Sequence, residues 1–353
     1  MKNKILVYIF VIYISLFSII NIIVKDKEIS TTERRTLQKF PDFKFDSEWI
    51  SKLDKYFLDQ FIFRDEFRSI KAFYNYNVLN NYDNNGIYLK DDYIFKSNYP
   101  TNRDSINNII DNINEMSNLF NDSDIYMMII PDKNYYLNST NFLQIDYDYI
   151  YKEFSKLNLK FIDIRDKLNL FDYYETDTHW KQENLDKIVN EMSKIMKFKY
   201  ENIKYDKNIY DSFYGVYYGE SAIYRKPEKL TYLTNSLFDE VKVNYLENPN
   251  LNKVYNINNL DSFDSYNVFL DGASSFIEIF NDYAKTDKEL IIFRDSFGSS
   301  ITPLLVNYYK KITLIDNRYI NSNLFKDKIN LKNIDVLFMY STLLINNSYS
   351  LKG

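Results

Sequence analysis

ELIIFRDSFGSS, residues 289–300, runs from a block of apolar residues through Arg294, Asp295, Ser296 and Phe297 to Gly298. The apolar block over 288–293 reads as a buried strand, and SITPLLVNYYKK (300–311) beyond it reads as a helix. A strand turning straight into a helix is the unit from which α/β sheets are built, and such a turn lies at the carboxyl edge of the sheet. Ser296 therefore sits where a hydroxyl is presented at that edge, beside backbone N–H groups suited to a developing oxyanion. This is the mechanical logic of a nucleophile elbow, although the G-x-S-x-G pattern is absent. The competing reading is an ordinary helix start, with Asp295 or Ser296 as N-cap and no catalysis.

The same alternation extends outward from this stretch. DIYMMIIP (124–131), LKFIDI (159–164), KITLID (311–316) and NIDVLFMYS (333–341) read as buried strands. DSINNIIDNINEMSNLF (104–120), with Asp104 or Ser105 as N-cap, and QENLDKIVNEMSKIMK (182–197) read as helices. Strands written as continuous apolar runs between helices predict an α/β fold, with a mostly parallel sheet flanked by helices. NNGIYLKDDYIFK (84–96) alternates apolar and polar residues on both sides of Asp91-Asp92 and predicts a β-hairpin. Region 200–285 has no clear period; SFYGVYYGESAIYRKPE holds two of the six glycines and suggests a loop or lobe over the site.

Nearer the N-terminus, SEWISKLDKYFLDQFIFRDEFRSIKAFYNY places Trp49, Leu53, Phe57, Phe61 and Phe67 near helical spacing, as in a stalk or a packing layer. Ile5 to Val24 is an uncharged apolar run of roughly the ~20 residues that span a bilayer. Lys2 and Lys4 precede it, Lys25 and Lys27 follow it, and no small-x-small cleavage site comes after it. The expectation is a single uncleaved anchor with a cytoplasmic N-terminus; a cleaved signal peptide is the other reading, and both export the remaining chain. The expected domains are a transmembrane anchor (1–27), a helical stalk or packing layer (28–84) and an α/β domain (85–353).

Composition removes several function classes. The net charge is −5 with no basic stripe, which gives no support for nucleic-acid binding. The chain has no cysteine, which excludes disulfides, thiolate metal sites and a cysteine nucleophile. With one histidine as well, it lacks the usual ligands of a catalytic zinc, and neither a P-loop nor G-x-G-x-x-G is present, so no metal and no cofactor is expected.

That one histidine is His179, in YYETDTHWKQEN (173–184). In an extended segment Asp177 and His179 share a face, and the carboxylate can accept a hydrogen bond from one imidazole nitrogen, leaving the other as a base. A histidine merely satisfied by its neighbour fits the pair equally well.

Taken together, Asp177, His179 and Trp180 in DTHW, and Asp295, Ser296 and Phe297 in RDSF, resemble the SGNH-hydrolase-like proteins of polysaccharide O-acetylation. These include the alginate-acetylating proteins and, more closely, the DHHW family of bacterial envelope proteins. ITPLLVNYYKKITLIDNRYI, with Asp316, Arg318 and Tyr319, together with FYGVYY and RRTLQKFPDF, extends the resemblance over most of the exported chain. The resemblance implies a triad of Ser296 as nucleophile, His179 as general base and acid, and Asp177 as its orienting carboxylate, in the circularly permuted motif order of the alginate relatives.

It also implies an extracytoplasmic, single-pass, membrane-anchored O-acetyltransferase or acetylesterase acting on a cell-surface polysaccharide, with a multi-span membrane-bound O-acyltransferase as partner. The alternative is a non-catalytic envelope or glycan-binding scaffold with the same fold. Two positions depart from the family: Thr178 stands where the family name has histidine, and Arg294 replaces the glycine that often precedes Asp-Ser in alginate relatives. Trp180 either packs under the histidine or faces a sugar ring, and Arg318 either pairs with Asp316 or contacts substrate. PDKN (131–134) and DGASS (271–275) are candidates for the oxyanion donors. A working triad predicts a Ser296–His179 separation of about 2.6–3.2 Å.

Overall fold

A computed structural model describes residues 2–44, 46–81, 83–84, 86–120, 122–137, 142–321, 329 and 332–351. The chain divides into two compact units: Met1–Ile87 with Val216–Lys226, and Tyr88–Gly215 with Pro227–Gly353.

The first unit holds helices α1 (Lys2–Ile23), α2 (Ser47–Asp59) and α3 (Arg64–Phe73). Lys4–Ile23 has a mean hydropathy of 2.5 and none of it is buried, so this helix is long and apolar enough to cross a membrane. Asp46 caps α2 by accepting the Trp49 N–H at 2.7 Å. A charge cluster ties the unit together: Arg35 forks onto Asp59, and Arg35, Arg64 and Arg68 all pair with Glu33. The Arg35 fork holds the Asp59 carboxyl down to about 2.

The second unit is built on a seven-stranded sheet: β1 (Asp122–Ile130), β2 (Lys160–Ile162), β3 (Lys242–Tyr245), β4 (Phe276–Phe280), β5 (Glu289–Arg294), β6 (Lys311–Ile315) and β7 (Lys332–Ser341). The spatial order is β3-β4-β6-β5-β7-β1-β2. The five strands from β6 to β2 are parallel, while β4 and β3 join antiparallel at one edge. The expected mostly parallel α/β sheet is therefore present. The unreadable region 200–285 contributes its two antiparallel strands, plus a separate ribbon of Asp206–Phe213 with Glu228–Thr234.

Strand residues alternate between two apolar layers, which is why the strands read as unbroken hydrophobic runs. Met128, Ile130, Leu290, Ile292, Leu337 and Met339 pack with α6 (Asp186–Met196) and α7 (Gly298–Leu305). Met127, Ile129, Ile291, Phe293, Val336 and Phe338 pack on the other face with α4 (Arg103–Ser117) and α5 (Tyr147–Phe154). The cap of α4 is Asn102, not Asp104 or Ser105: its extended backbone lets its side chain accept the Ser105 N–H at 3.0 Å. Gln182–Asn184 forms a separate 3₁₀ turn before α6, because the Gln182 carboxamide is engaged elsewhere, accepting from Leu233 N and donating to Ser300 O. The hairpin stands at Ile87–Lys90 and Tyr93–Lys96.

From β5 the chain passes through α7 to β6 on one side, then returns to β7 on the other. The carboxyl ends of β5 and β7 therefore form a topological switch point, where an α/β sheet opens a crevice.

Candidate active site

At the end of β5 the chain turns sharply. Asp295 folds its carboxylate back, one oxygen accepting the Phe297 N–H at 3.0 Å. The other oxygen accepts the Ser341 N–H at 2.8 Å and the Ser341 hydroxyl at 2.6 Å. The register explains this contact: Arg294 pairs with Met339, so β7 runs past β5 and brings Ser341 level with the turn. Asp295 thus braces the turn. Gly298 begins α7 where a Cβ would lie 2.8 Å from the Arg294 Cβ and 3.0 Å from the Met339 methyl, so a residue with a side chain would push the helix off the strand end. Ser296 is left half-buried at the tip.

The histidine arrives on a tight loop. Tyr173 and Trp180 bridge antiparallel, the Tyr174 N–H donates to His179 O at 3.1 Å, and the Lys181 N–H to Asp172 O at 2.7 Å. The Asp177–His179 pairing comes from a turn inside this loop rather than from an extended segment. Asp177 Oδ1 accepts both the His179 backbone N–H at 3.0 Å and the Nδ1–H at 2.6 Å. With Nδ1 donating to a carboxylate, Nε2 is the acceptor. Nε2 lies 2.8 Å from Ser296 Oγ. Asp177 is 1% exposed and His179 9%.

The imidazole is clamped by aromatic rings. Tyr266 stacks on it with centroids 3.8 Å apart and planes 8° from parallel, and Phe297 leans in at 4.9 Å. The Tyr266 hydroxyl donates to Ser300 Oγ at 2.9 Å, which also accepts the Trp180 indole N–H at 2.9 Å. Trp180 is fully buried and donates to Phe297 O as well, so it packs beneath the site rather than facing a sugar.

The loop is propped from below by Lys133, only 1% exposed, whose ammonium donates to the carbonyls of Tyr174, Glu175 and Asp177 at 3.1, 3.0 and 2.7 Å. Burial pushes this amine down to about 7, with Glu228 and Asp177 pulling the other way. Glu228 accepts the N–H groups of Glu175 and Thr176 and the Thr176 hydroxyl. Thr178 Oγ1 is buried and has no hydrogen-bond partner among the described residues.

Arg294 is also buried, donating to Ser299 Oγ at 2.9 Å and Ser274 O at 3.1 Å. It ties the turn to the 271–275 segment from behind, and burial lowers its pKa. Arg318 forks onto the fully buried Asp316 at 2.8 and 2.5 Å, forming the structural pair, and Tyr319 is half exposed beside it. In the two oxyanion candidates, Asn134 Nδ2 donates to Lys96 O, the Gly272 N–H to Phe269 O and the Ser275 N–H to Glu247, while the Gly272 and Ser274 carbonyls receive Arg294. Sequence reasoning missed Tyr266, Ser300, Ser341, Glu228 and the propping role of Lys133. Among 34 tyrosines nothing marks Tyr266; Ser341, at the end of an apolar strand, carried a usable signal.

No protein-family model matches the chain, and no curated protein does either. Solved structures do. A DHHW family protein from Eubacterium siraeum DSM 15702 aligns with a TM-score of 0.65 at 18% identity, over 76% of this chain and 95% of that one. Bacillus cereus PatB1 with a sulfonyl adduct aligns with a TM-score of 0.59 at 20% identity, over 73% of this chain and 97% of that one. The O-acetyltransferase domain of Pseudomonas putida AlgJ aligns too loosely to bear on the reading, with a TM-score of 0.42 at 11% identity over 74% of this chain and 92% of that one. The chain thus shares its fold with a DHHW family protein and with PatB1, which upholds the sequence resemblance at the level of fold.

Proposed function

We propose that this chain is a serine-dependent acyl-transfer enzyme of the DHHW type, an O-acetyltransferase or acetylesterase acting on a cell-surface polysaccharide from the outer face of the membrane that α1 crosses. The observation that carries the reading is the unbroken line from Asp177 through His179 to Ser296, with links of 2.6 and 2.8 Å, made by the only histidine in the chain.

In this reading Ser296 Oγ attacks an acyl ester carbonyl while its proton passes to His179 Nε2. Asp177 holds the ring and stabilises the imidazolium. Negative charge on the tetrahedral oxygen develops at the start of α7, where N–H groups and the helix dipole favour it. The intermediate collapses as His179 protonates the departing alkoxide, leaving an acyl-serine. A sugar hydroxyl (transferase) or water (esterase) then gives its proton to Nε2 and attacks the acyl carbon; collapse returns the proton to Ser296. Asp295 and Ser341 hold the turn, and Tyr266 and Trp180 fix the ring, so the hydroxyl and base meet without reorganisation. The resemblance adds a multi-span membrane-bound O-acyltransferase as source of the acyl group.

The test uses the full chain in detergent with p-nitrophenyl acetate, then with a glycan acceptor. Turnover that falls at least ~10³-fold in both Ser296→Ala and His179→Ala, together with a sulfonyl fluoride adduct on Ser296 by mass spectrometry, supports the reading; acetylated glycan identifies a transferase. Equal activity in the parent and both variants rejects the triad, and no turnover or adduct in the folded parent favours the scaffold.

A further inference from the structure

Helix α3 carries an apolar stripe on the wrong side for a globular unit. Phe67, Ile70 and, in the helical turn that continues α3, Tyr74 follow the spacing of a single helix face, yet are 40, 63 and 51% exposed, and Phe63 just before the helix is 55% exposed. The opposite side is the packed one: Ala72 is fully buried, and Arg68 donates to the carbonyls of Gly219 and Glu220 and pairs with Glu33. On α2, Ile50, Phe57 and Leu58 are likewise 60, 60 and 63% exposed. Exposed apolar surface of this extent marks an interaction site.

The occupant is indicated by α1. Phe17 stacks against Phe61 with centroids 6.0 Å apart, and Phe67 lies tilted against it at 6.2 Å. One turn on, Asn21 is the one carboxamide inside the apolar run; its side-chain carbonyl oxygen accepts the Ile62 N–H at 2.7 Å and its amide donates to Phe17 O at 3.0 Å. Both polar ends of a side chain that is expensive in lipid are thereby satisfied, the amide within α1 and the carbonyl by the α2–α3 link. At about 1.5 Å per residue, Phe17 lies about 10 Å inward from Val24, where the apolar run ends. Phe61 and Phe67, packed on Phe17, share that depth, which is that of interfacial helices whose apolar face sinks about 5–10 Å into the headgroup–acyl boundary. At the level of the helix end, a cavity of about 590 Å³ is lined by Lys25, Lys27 and Arg64 and equally by Asp59, Asp65 and Glu66, a charged rim at the height expected of the headgroup layer.

We propose that the α2–α3 segment is an interfacial element that inserts its aromatic stripe into the same leaflet in which the outer end of α1 is seated, so that the first unit rests on the lipid surface instead of standing off it on a stalk. This rests on the reading of α1 as a membrane span. The absence of cysteine makes the test direct, since a single introduced thiol is the only one to label. Spin labels at Ile70→Cys (stripe), Lys52→Cys (ion-paired with Glu48) and Ile12→Cys (middle of α1) are placed in the full chain, reconstituted in phosphatidylglycerol–phosphatidylethanolamine vesicles. Oxygen and nickel-chelate accessibilities are compared.

The expected result is several-fold preferential oxygen access at positions 12 and 70 and water-like access at 52. Lipid access at 12 with water-like access at 70 overturns the proposal and leaves the anchor standing. Water-like access at both removes the anchor reading, and the proposal with it. Dipolar broadening at position 70 assigns the stripe to a second copy of the chain and also overturns it.

Discussion

Replacing Lys133 with methionine isolates a buried charge whose energetic balance can be worked from the structure. The ammonium makes three charge-assisted bonds to carbonyls of the histidine loop, each worth about 1.5–3 kcal/mol. Burial outweighs them: the amine is held at about 7 instead of 10.5, a net penalty on the charged form of roughly 5 kcal/mol after its favourable contacts are counted. The signature of that net penalty lies in the pH dependence of stability.

In the unfolded chain Lys133 keeps its proton up to its ordinary value of 10.5; in the fold it keeps it only up to about 7. Between these values the unfolded state binds the extra proton, so stability rises with pH, and the penalty is felt in full below about pH 7. The slope rises toward about 1.4 kcal/mol per pH unit as the folded amine loses its proton, which gives roughly 2 kcal/mol between pH 7 and 9. Urea unfolding of the full chain in detergent at intervals across that range checks this. The parent should gain that stability relative to Lys133→Met, while the variant turns over acetyl ester at least ~10-fold more slowly at every pH because the carbonyls that seat Asp177 lose their donor. Parallel stability–pH curves for the two proteins would refute the reasoning.

Two further substitutions probe the site. Gly298→Ala forces a Cβ to 2.8 Å from the Arg294 Cβ; thermal unfolding should show a loss of about 1–3 kcal/mol, with ester turnover falling further as Ser296 moves, and a parent-like Tm would contradict the tight turn. Tyr266→Leu keeps a buried apolar side chain but removes the 3.8 Å ring stack and the bond to Ser300; kcat should fall ~10-fold or more with KM little changed, and an unchanged kcat would show that the ring does not hold the histidine.

Some of this was legible in local pattern. The runs around Ile125, Ile291 and Val336 are apolar at every position because α-helices cover both faces of their sheet, and that density survives in one dimension. The antiparallel strands Lys242–Tyr245 and Phe276–Phe280 were not legible: they form one edge of the sheet and mix polar with apolar residues, so their pairing partners, not their composition, make them strands. At the site, Ser296 was readable from a strand–turn–helix junction and His179 from its singularity. Tyr266 and Glu228 act through contacts with residues far away in the sequence, which no local period encodes.

By itself, then, the sequence determined the α/β layering, the apolar helix at the N-terminus and the choice of Asp177, His179 and Ser296 as candidate site residues, because periodicity and residue chemistry are properties of neighbours along the chain. Only the tertiary structure decided that Asp177 reaches His179 through a turn, that Arg294 and Lys133 lie buried as braces, and that Ser296 Oγ lies 2.8 Å from His179 across a separation of 117 residues. That last distance is set by the register of β5 and β7 and by the propping of the histidine loop, and each depends on pairings between segments remote in sequence.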